Sequence, residues 1–372
     1  MTRDEIAGLL PTVGDGDGLA RGETFFREEL QLATRNRGMP LEALRYPITP
    51  TGLHYLLVHY DIPDVDGAAW RLGVGGSVSR PLGLGLEELE RRPARTLAVT
   101  LECAGNGRAL FAPRWVSQPW LHEAIGTAEW TGTPLRGLLE EAGLADDALE
   151  IVFTGRDRGI EGGEVQSYQR SLPVEEAMRE EVLLAWAMNG RALEPQHGYP
   201  LRLVVPGWYG MASVKWLDRL EAVTEPFGGY QMTKAYRYQG SAEDPGESVT
   251  RIRPRALMIP PGIPDFLTRV RLLEPGPVTL EGRAWAGRSA VERVEVSADG
   301  GERWSPAELG EPVSPFAWRP WRFEWEARPG RHSLSVRAAA EGGRLQDGEA
   351  PDWNLGGYGG REPQRVEVLV AS

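Results

Sequence analysis

The chain of 372 residues has one cysteine, Cys103, and five histidines. A single thiol excludes an internal disulfide, and such chains suit a reducing compartment. No apolar run approaches the ~20 residues that a bilayer-spanning helix needs. The opening MTRDEIAGLLPTVGDGDG has an acidic start, no apolar h-region and no twin arginines. No secretory signal is therefore expected, and the cytoplasm is the expected location. Cations are outnumbered: 41 Lys and Arg against 53 Asp and Glu leave a net charge of -12. That balance argues against a generic nucleic-acid surface or an anionic-membrane surface. GVGGSV and GDGDG fall short of a dinucleotide fingerprint and open no strand-to-helix unit. His54 and His59, in HYLLVHY, have neither cysteines nor an H-E-x-x-H frame beside them, which argues against zinc.

Glycine (46), proline (29) and tryptophan (13) are plentiful, as in a turn-rich chain with much strand and few long helices. The length exceeds the ~250–300 residues at which single cores stop growing, so two domains are expected. RTLAVTLEC alternates with period two, the mark of a half-buried strand. TGTPLRGLLEEAGL reads as a helix with Thr133 as cap, Pro134 at the first helical position and Gly143 at the end. SLPVEEAMREEVLLAWAMNG repeats that scheme with Pro173 and Gly190, and YPLRLVVPG reads as a buried strand. A Pro/Gly/charge-rich break, YQGSAEDPGESVTRIRPRALMIPPGIPD, separates this α+β region from an all-β one. The expected division is 1–243 and 244–372. The second part reads as an antiparallel sandwich of immunoglobulin type, with turns at ADGG and RPG. WRPWRFEW lies inside one of its strands and is expected to pack there rather than bind nucleic acid.

The alternating strand of TLAVTLECAGNGRALF runs into Cys103 and stops in a Gly/Asn turn. A lone cysteine is most often a small buried hydrophobe. Here Gly105 and Gly107 give the backbone room, Asn106 tolerates turn geometry, and Arg108 places a cation that favours a thiolate. A thiolate exposed at a strand end suits a soft metal ligand or a nucleophile.

LECAGNGR resembles the molybdenum-ligating segment of the sulfite oxidase family, and further segments match in the same order. FFREELQLATRNRGMP is similar to the family's arginine-asparagine segment. HGYPLRLVVPGWYGMASVKWLDRL resembles its pterin-binding stretch. The resemblance implies a mixed α/β molybdenum-cofactor domain followed by a dimerisation sandwich. Molybdenum would be held by molybdopterin and by Cys103, and a homodimer would form. It assigns cofactor contacts to Thr34, Arg35, Asn36, Asp157, His197, Arg202, Ser213, Val214 and Lys215. Arg202 and Lys215 would grip the phosphate, since charged donors make strong hydrogen bonds to it. Arg35, Arg108 and Tyr236 would surround a small oxyanion, with Tyr238 competing for the tyrosine's place.

Two positions depart from the family: Arg37 stands where histidine is usual, and Gly356, in DWNLGGYGG, stands where sulfite oxidases carry an arginine. The second removes a cation from the oxyanion pocket. Haem is not expected, because no C-x-x-C-H site is present and no histidine-bearing haem domain precedes residue 30. Electrons would then pass to a separate acceptor. Oxygen-atom transfer, simplest as sulfite to sulfate, is the leading expectation. Reduction of nitrate or a sulfoxide is the alternative. A hydrolase built on Cys103 and His197 and a non-catalytic binding protein are the competing classes.

Overall fold

The computed structural model describes residues 26–347 and 353–371. Two sheets form the first domain. One has the order Leu82–Leu84, Leu72–Gly76, Leu217–Val223, Glu150–Glu161, Glu164–Pro173, with a parallel pairing only between Leu72–Gly76 and Leu217–Val223. The other places Arg95–Glu102 beside Ile125–Pro134. That strand pairs with Leu183–Met188, which also pairs with Arg191–Ala192 and Arg202–Val204. The period-two strand forms as expected: Arg95–Glu102 pairs without a register break, from Arg95 opposite Gly132 to Glu102 opposite Ile125.

The helix Leu135–Ala142 buries Leu135, Leu138, Leu139 and Ala142 on one face. It ends at Gly143, whose φ of +67° is a conformation that favours glycine. Pro134 is the extended residue before this helix rather than its first helical residue, because the strand Ile125–Pro134 runs straight into it. Thr133 makes no capping bond.

The second expected helix is corrected. Only Val174–Ala177 is helical, and Leu183–Met188 is a central strand. Leu183, Leu184 and Ala185 are all fully buried, which a half-exposed helix would not allow. Asn189 and Gly190, at φ of 51° and 73°, make the tight turn that returns the chain to Arg191–Ala192.

Beyond the break lie a four-stranded sheet (Arg255–Met258, Gly276–Trp285, Arg319–Ala327, Glu308–Leu309) and a seven-stranded sheet centred on Gly330–Ala340. Both contribute to one apolar core. The turns at ADGG and RPG are present, with Gly300, Gly301 and Gly330 at positive φ. The expected boundary at 243/244 falls in the loop of a short hairpin, Arg237–Tyr238 against Glu247–Ser248. Val249 and Ile252 still belong to the first core. In Arg255–Met258 the faces divide: Ala256 and Met258 enter the second core, while Leu257 enters the first. Trp285 and Trp318, also from the second domain, are buried in the first core. Among the described residues no helix is long and apolar enough to cross a membrane.

Candidate functional site

Cys103 follows the last residue of Arg95–Glu102 and is 6% exposed. Its amide donates to the Ala124 carbonyl (2.9 Å) and its carbonyl accepts from the Asn106 amide (3.0 Å), closing the turn. Gly107, at φ +93°, completes the reversal. Gly105 makes room for protein rather than ligand, since a Cβ there would lie 2.5 Å from Nη2 of Arg108. Burial pushes the Cys103 thiol above its usual value, although Arg108, the Gly105 amide and the Trp120 indole pull it down. A metal would have to displace that proton.

Cys103 opens into a pocket it shares with Asp157, His197, Arg202, Ser213, Lys215 and Tyr236. Arg202 is buried, donates to the His197 and Ser213 carbonyls (3.0 and 3.2 Å), and lies over the Trp130 ring. Burial lowers its guanidinium to about 10. Lys215, one of two lysines in the chain, donates from Nζ to the Leu57 and Gln196 carbonyls (2.8 and 3.1 Å). Burial brings it down to about 7, with Arg202 adding repulsion and Asp157 opposing. Among the described residues neither cation has a carboxylate within ion-pairing distance. Two buried cations without a counter-ion make a site for an anion.

Residues lining the same pocket carry unpartnered polar atoms. His54 donates from Nδ1 to the Tyr55 carbonyl (3.0 Å), leaving Nε2 as a buried acceptor with no partner. Nε2 of His197 and Oδ1 of Asp157 are likewise buried and unpartnered. Burial lowers His197 to about 2 and raises Asp157 to about 6. Buried polar atoms are normally satisfied, so this cluster is what a polar ligand would complete. Among the described residues no group of three or more His, Cys, Asp or Glu is placed to hold a metal. A metal at Cys103 would thus take its other ligands from a bound group, and the donor set fits one with an anionic end and a polar ring.

The remaining expected residues divide. Ser213 accepts from the Val205 amide (3.1 Å) through Oγ, and Val214 is buried beside it. Asn36 is buried outside the pocket and ties two segments together, with Nδ2 on Gln118 (3.0 Å) and Oδ1 accepting from the Val58 amide (2.7 Å). Thr34 and Arg35 are on the surface at the end of the helix Arg27–Arg35. Thr34 bonds the Gln31 carbonyl, and Arg35 bonds the Tyr60 carbonyl and Asp61. Arg37 is exposed. Arg108 is clamped from the second domain, donating from Nε to the Gly356 carbonyl (2.8 Å) and lying over the Tyr358 ring.

Tyr236 reaches the pocket with φ of 54°, a backbone conformation rare for an aromatic residue and frequent at functional sites. Its hydroxyl is hydrogen-bonded to Nε2 of His59, Arg170 lies over its ring, and Tyr358 packs against it. Tyr238 instead stands under Arg253. His54, His59, Tyr55 and Tyr168 line the pocket without having been singled out for it. In the sequence the two histidines read only against zinc, although their spacing brackets a run that enters the pocket.

Two family models match: "Oxidoreductase molybdopterin binding domain" over 59–231 and "Mo-co oxidoreductase dimerisation domain" over 263–370. Human mitochondrial sulfite oxidase is 35% identical over 342 residues, covering 87% of this chain and 62% of that protein. A Brassica napus NADH nitrate reductase is 32% identical over 353 residues, covering 87% and 38% respectively. Among solved structures, the sulfane dehydrogenase SoxCD from Paracoccus pantotrophus superposes with a TM-score of 0.75 at 28% identity, covering 89% of this chain and 83% of that one. The chain thus spans less than two thirds of the mammalian relatives. A thiol, two buried cations and a ring of unpartnered polar atoms meet in one pocket of a molybdopterin-binding domain, and the chain belongs to the sulfite oxidase family of molybdopterin-dependent oxidoreductases.

Proposed function

We propose that the protein is a molybdenum enzyme that oxidises a small sulfur oxyanion, sulfite in the simplest case, and passes the electrons to a separate acceptor. The observation that carries this is the convergence of the sole cysteine with Arg202 and Lys215 on one pocket. Molybdopterin bound there would supply the redox chemistry and the oxygen-atom transfer.

The chain's residues hold and orient. Cys103 ligates through sulfur, the ligand type that suits such a metal. Arg202 and Lys215 would hold and neutralise the cofactor's phosphate. Asp157, His54 and His197 would offer polar partners to its ring. Tyr236 would hold a proton on its hydroxyl beside the substrate, hydrogen-bonded to His59, which burial keeps neutral by lowering it to about 3. Arg108 backs the substrate side of the thiol turn.

The relatives favour a second reading, nitrate reduction at the same site, because nitrate reductases match nearly as well as sulfite oxidases. Gly356 is consistent with it, since one oxyanion contact is missing. We place the protein in the cytoplasm, as a homodimer joined through its immunoglobulin-like domain. The hairpin Ile263–Pro264 to Arg271–Leu273 offers Ile263, Phe266, Leu267 and Leu272, exposed by 67%, 84%, 80% and 43%, as the joining face.

Metal and pterin analysis of protein from a cofactor-competent host is the test. The wild type should carry about one molybdenum per chain, and Cys103→Ser should lose catalysis. Wild-type protein without molybdenum would overturn the proposal. Reduction of an artificial acceptor with sulfite, against oxidation of a reduced dye with nitrate, separates the two readings.

A further inference from the structure

The metal-ligand turn is held from the other domain. Arg255, on Arg255–Met258 of the second domain, is 2% exposed and reaches across the interface to both ends of the Cys103 turn. Its Nη1 donates to Oε1 of Glu102 (3.2 Å), to the Asn106 carbonyl (2.9 Å) and to the Gly360 carbonyl (3.3 Å). Its Nη2 is bonded to Nδ1 of His122 (2.8 Å). Glu102, immediately before Cys103, also accepts from Nε1 of Trp285 in the second domain (2.8 Å) and from Nδ2 of Asn106 (3.0 Å). Oδ1 of Asn106 in turn accepts from the Ala124 amide (3.1 Å), the residue whose carbonyl holds the Cys103 amide. The same domain docks along the strand leading to the thiol. The Thr100 amide donates to the Phe316 carbonyl (2.9 Å) and the Trp318 amide to the Thr100 hydroxyl (2.8 Å).

We infer that Arg255 is a positioning residue for the Cys103 thiol: through Glu102 and Asn106 the second domain fixes the turn that presents the sulfur. Naming that sulfur a metal ligand rests on the proposed function, but the latch itself does not. One guanidinium contacts the residues flanking both sides of the turn, and its planar fork satisfies several acceptors that a single ammonium could not reach together. Without it the turn would open more often, and a buried thiol reacts in proportion to such openings.

The chain's single cysteine makes the test specific. Full-length protein from a host unable to make molybdopterin is treated with excess iodoacetamide, and the rate of modification at Cys103 is read by mass spectrometry. Arg255→Met should raise the rate at least tenfold, and Arg255→Lys should fall between it and the wild type. Arg283→Met breaks a different interdomain contact, to the Leu44 and Arg45 carbonyls (2.7 and 3.0 Å) and the face of Trp318, and should raise the rate far less than Arg255→Met. If Arg255→Met does not fold, Trp285→Phe removes one donor to Glu102 while keeping a smaller aromatic ring in place, and should raise the rate severalfold. Unchanged rates in the folded Arg255 or Trp285 variants would overturn the inference. So would an equal rise in Arg283→Met, which would mean general loosening of the interface. Because no cofactor is present, the outcome is independent of whether the protein carries molybdenum.

Discussion

The ring of Tyr358 occupies the space that a side chain on Gly356 would need: a Cβ there would lie 2.2 Å from Cε2 of Tyr358. The missing family arginine is therefore more than a deleted charge, since an aromatic ring has taken its volume. Gly356→Arg alone should destabilise the protein by about 1–3 kcal/mol, the usual cost of overpacking. It should gain no sulfite affinity. Gly356→Arg with Tyr358→Ala should relieve that clash, at the cost of the packing of Tyr358 on Arg108 and Tyr236, and lower KM for sulfite. Thermal denaturation and steady-state kinetics of both variants check this.

Lys215 carries an opposed pair of effects. Its charge is disfavoured in the cofactor-free fold, where burial brings it to about 7. The unfolded chain keeps the proton to about 10.4, so between those values it binds more protons than the fold does. Stability of the cofactor-free protein should then rise with pH across that window. Lys215→Met should lose this rise, and the same variant from a cofactor-competent host should retain severalfold less molybdopterin. Melting curves from pH 6 to 10 and cofactor assays test the two halves.

Acid should act through histidines. Burial, the main cause in each case, lowers His54 to about 4, His59 and His122 to about 3, and His197 to about 2. Unfolded histidines titrate near 6.5, so their contribution is intact above that pH and is lost progressively as pH falls below it. Asp157, raised to about 6, and Glu102 and Glu123, both raised by burial, work in the opposite direction, three carboxyls against four imidazoles. For the cofactor-free protein Tm should fall between pH 7 and pH 5, by less than the histidines alone would give. His54→Gln should flatten that slope, removing one of the four histidine contributions.

Much of the site was legible because its chemistry is local in sequence. The turn at Cys103 and the run from His197 to Lys215 each bring their residues together over a few positions. The helix expected after Pro173 failed because an unbroken apolar run reads alike as buried strand or buried helix. The Asn189-Gly190 pair was the overlooked hairpin signal. His59 and Tyr168 join the pocket only through tertiary folding, His59 stacking on Tyr168 and bonding Tyr236, 177 residues away. Arg35, placed at the pocket by resemblance, stands instead on Asp61. Nothing in its segment alone specifies which way that helix end turns.

Phe266 and Leu267 are among the most exposed apolar side chains described, at 84% and 80%. Isolated exposed apolar residues are ordinary, but four on one short hairpin mark a contact face. If this is the homodimer face, Phe266→Ser with Leu267→Ser should shift the protein from dimer to monomer in sedimentation velocity, with the metal content unchanged.

The strand Arg255–Met258 sends Ala256 and Met258 into one core and Leu257 into the other. A wall shared in this way couples the melting of its two rooms. Neither half can lose its packing without exposing apolar surface on the other, so calorimetry should record one cooperative endotherm. For the same reason the cofactor-binding half cannot be excised as a tidy fragment: cutting it free would strip away Leu257, Trp285 and Trp318, which close its interior.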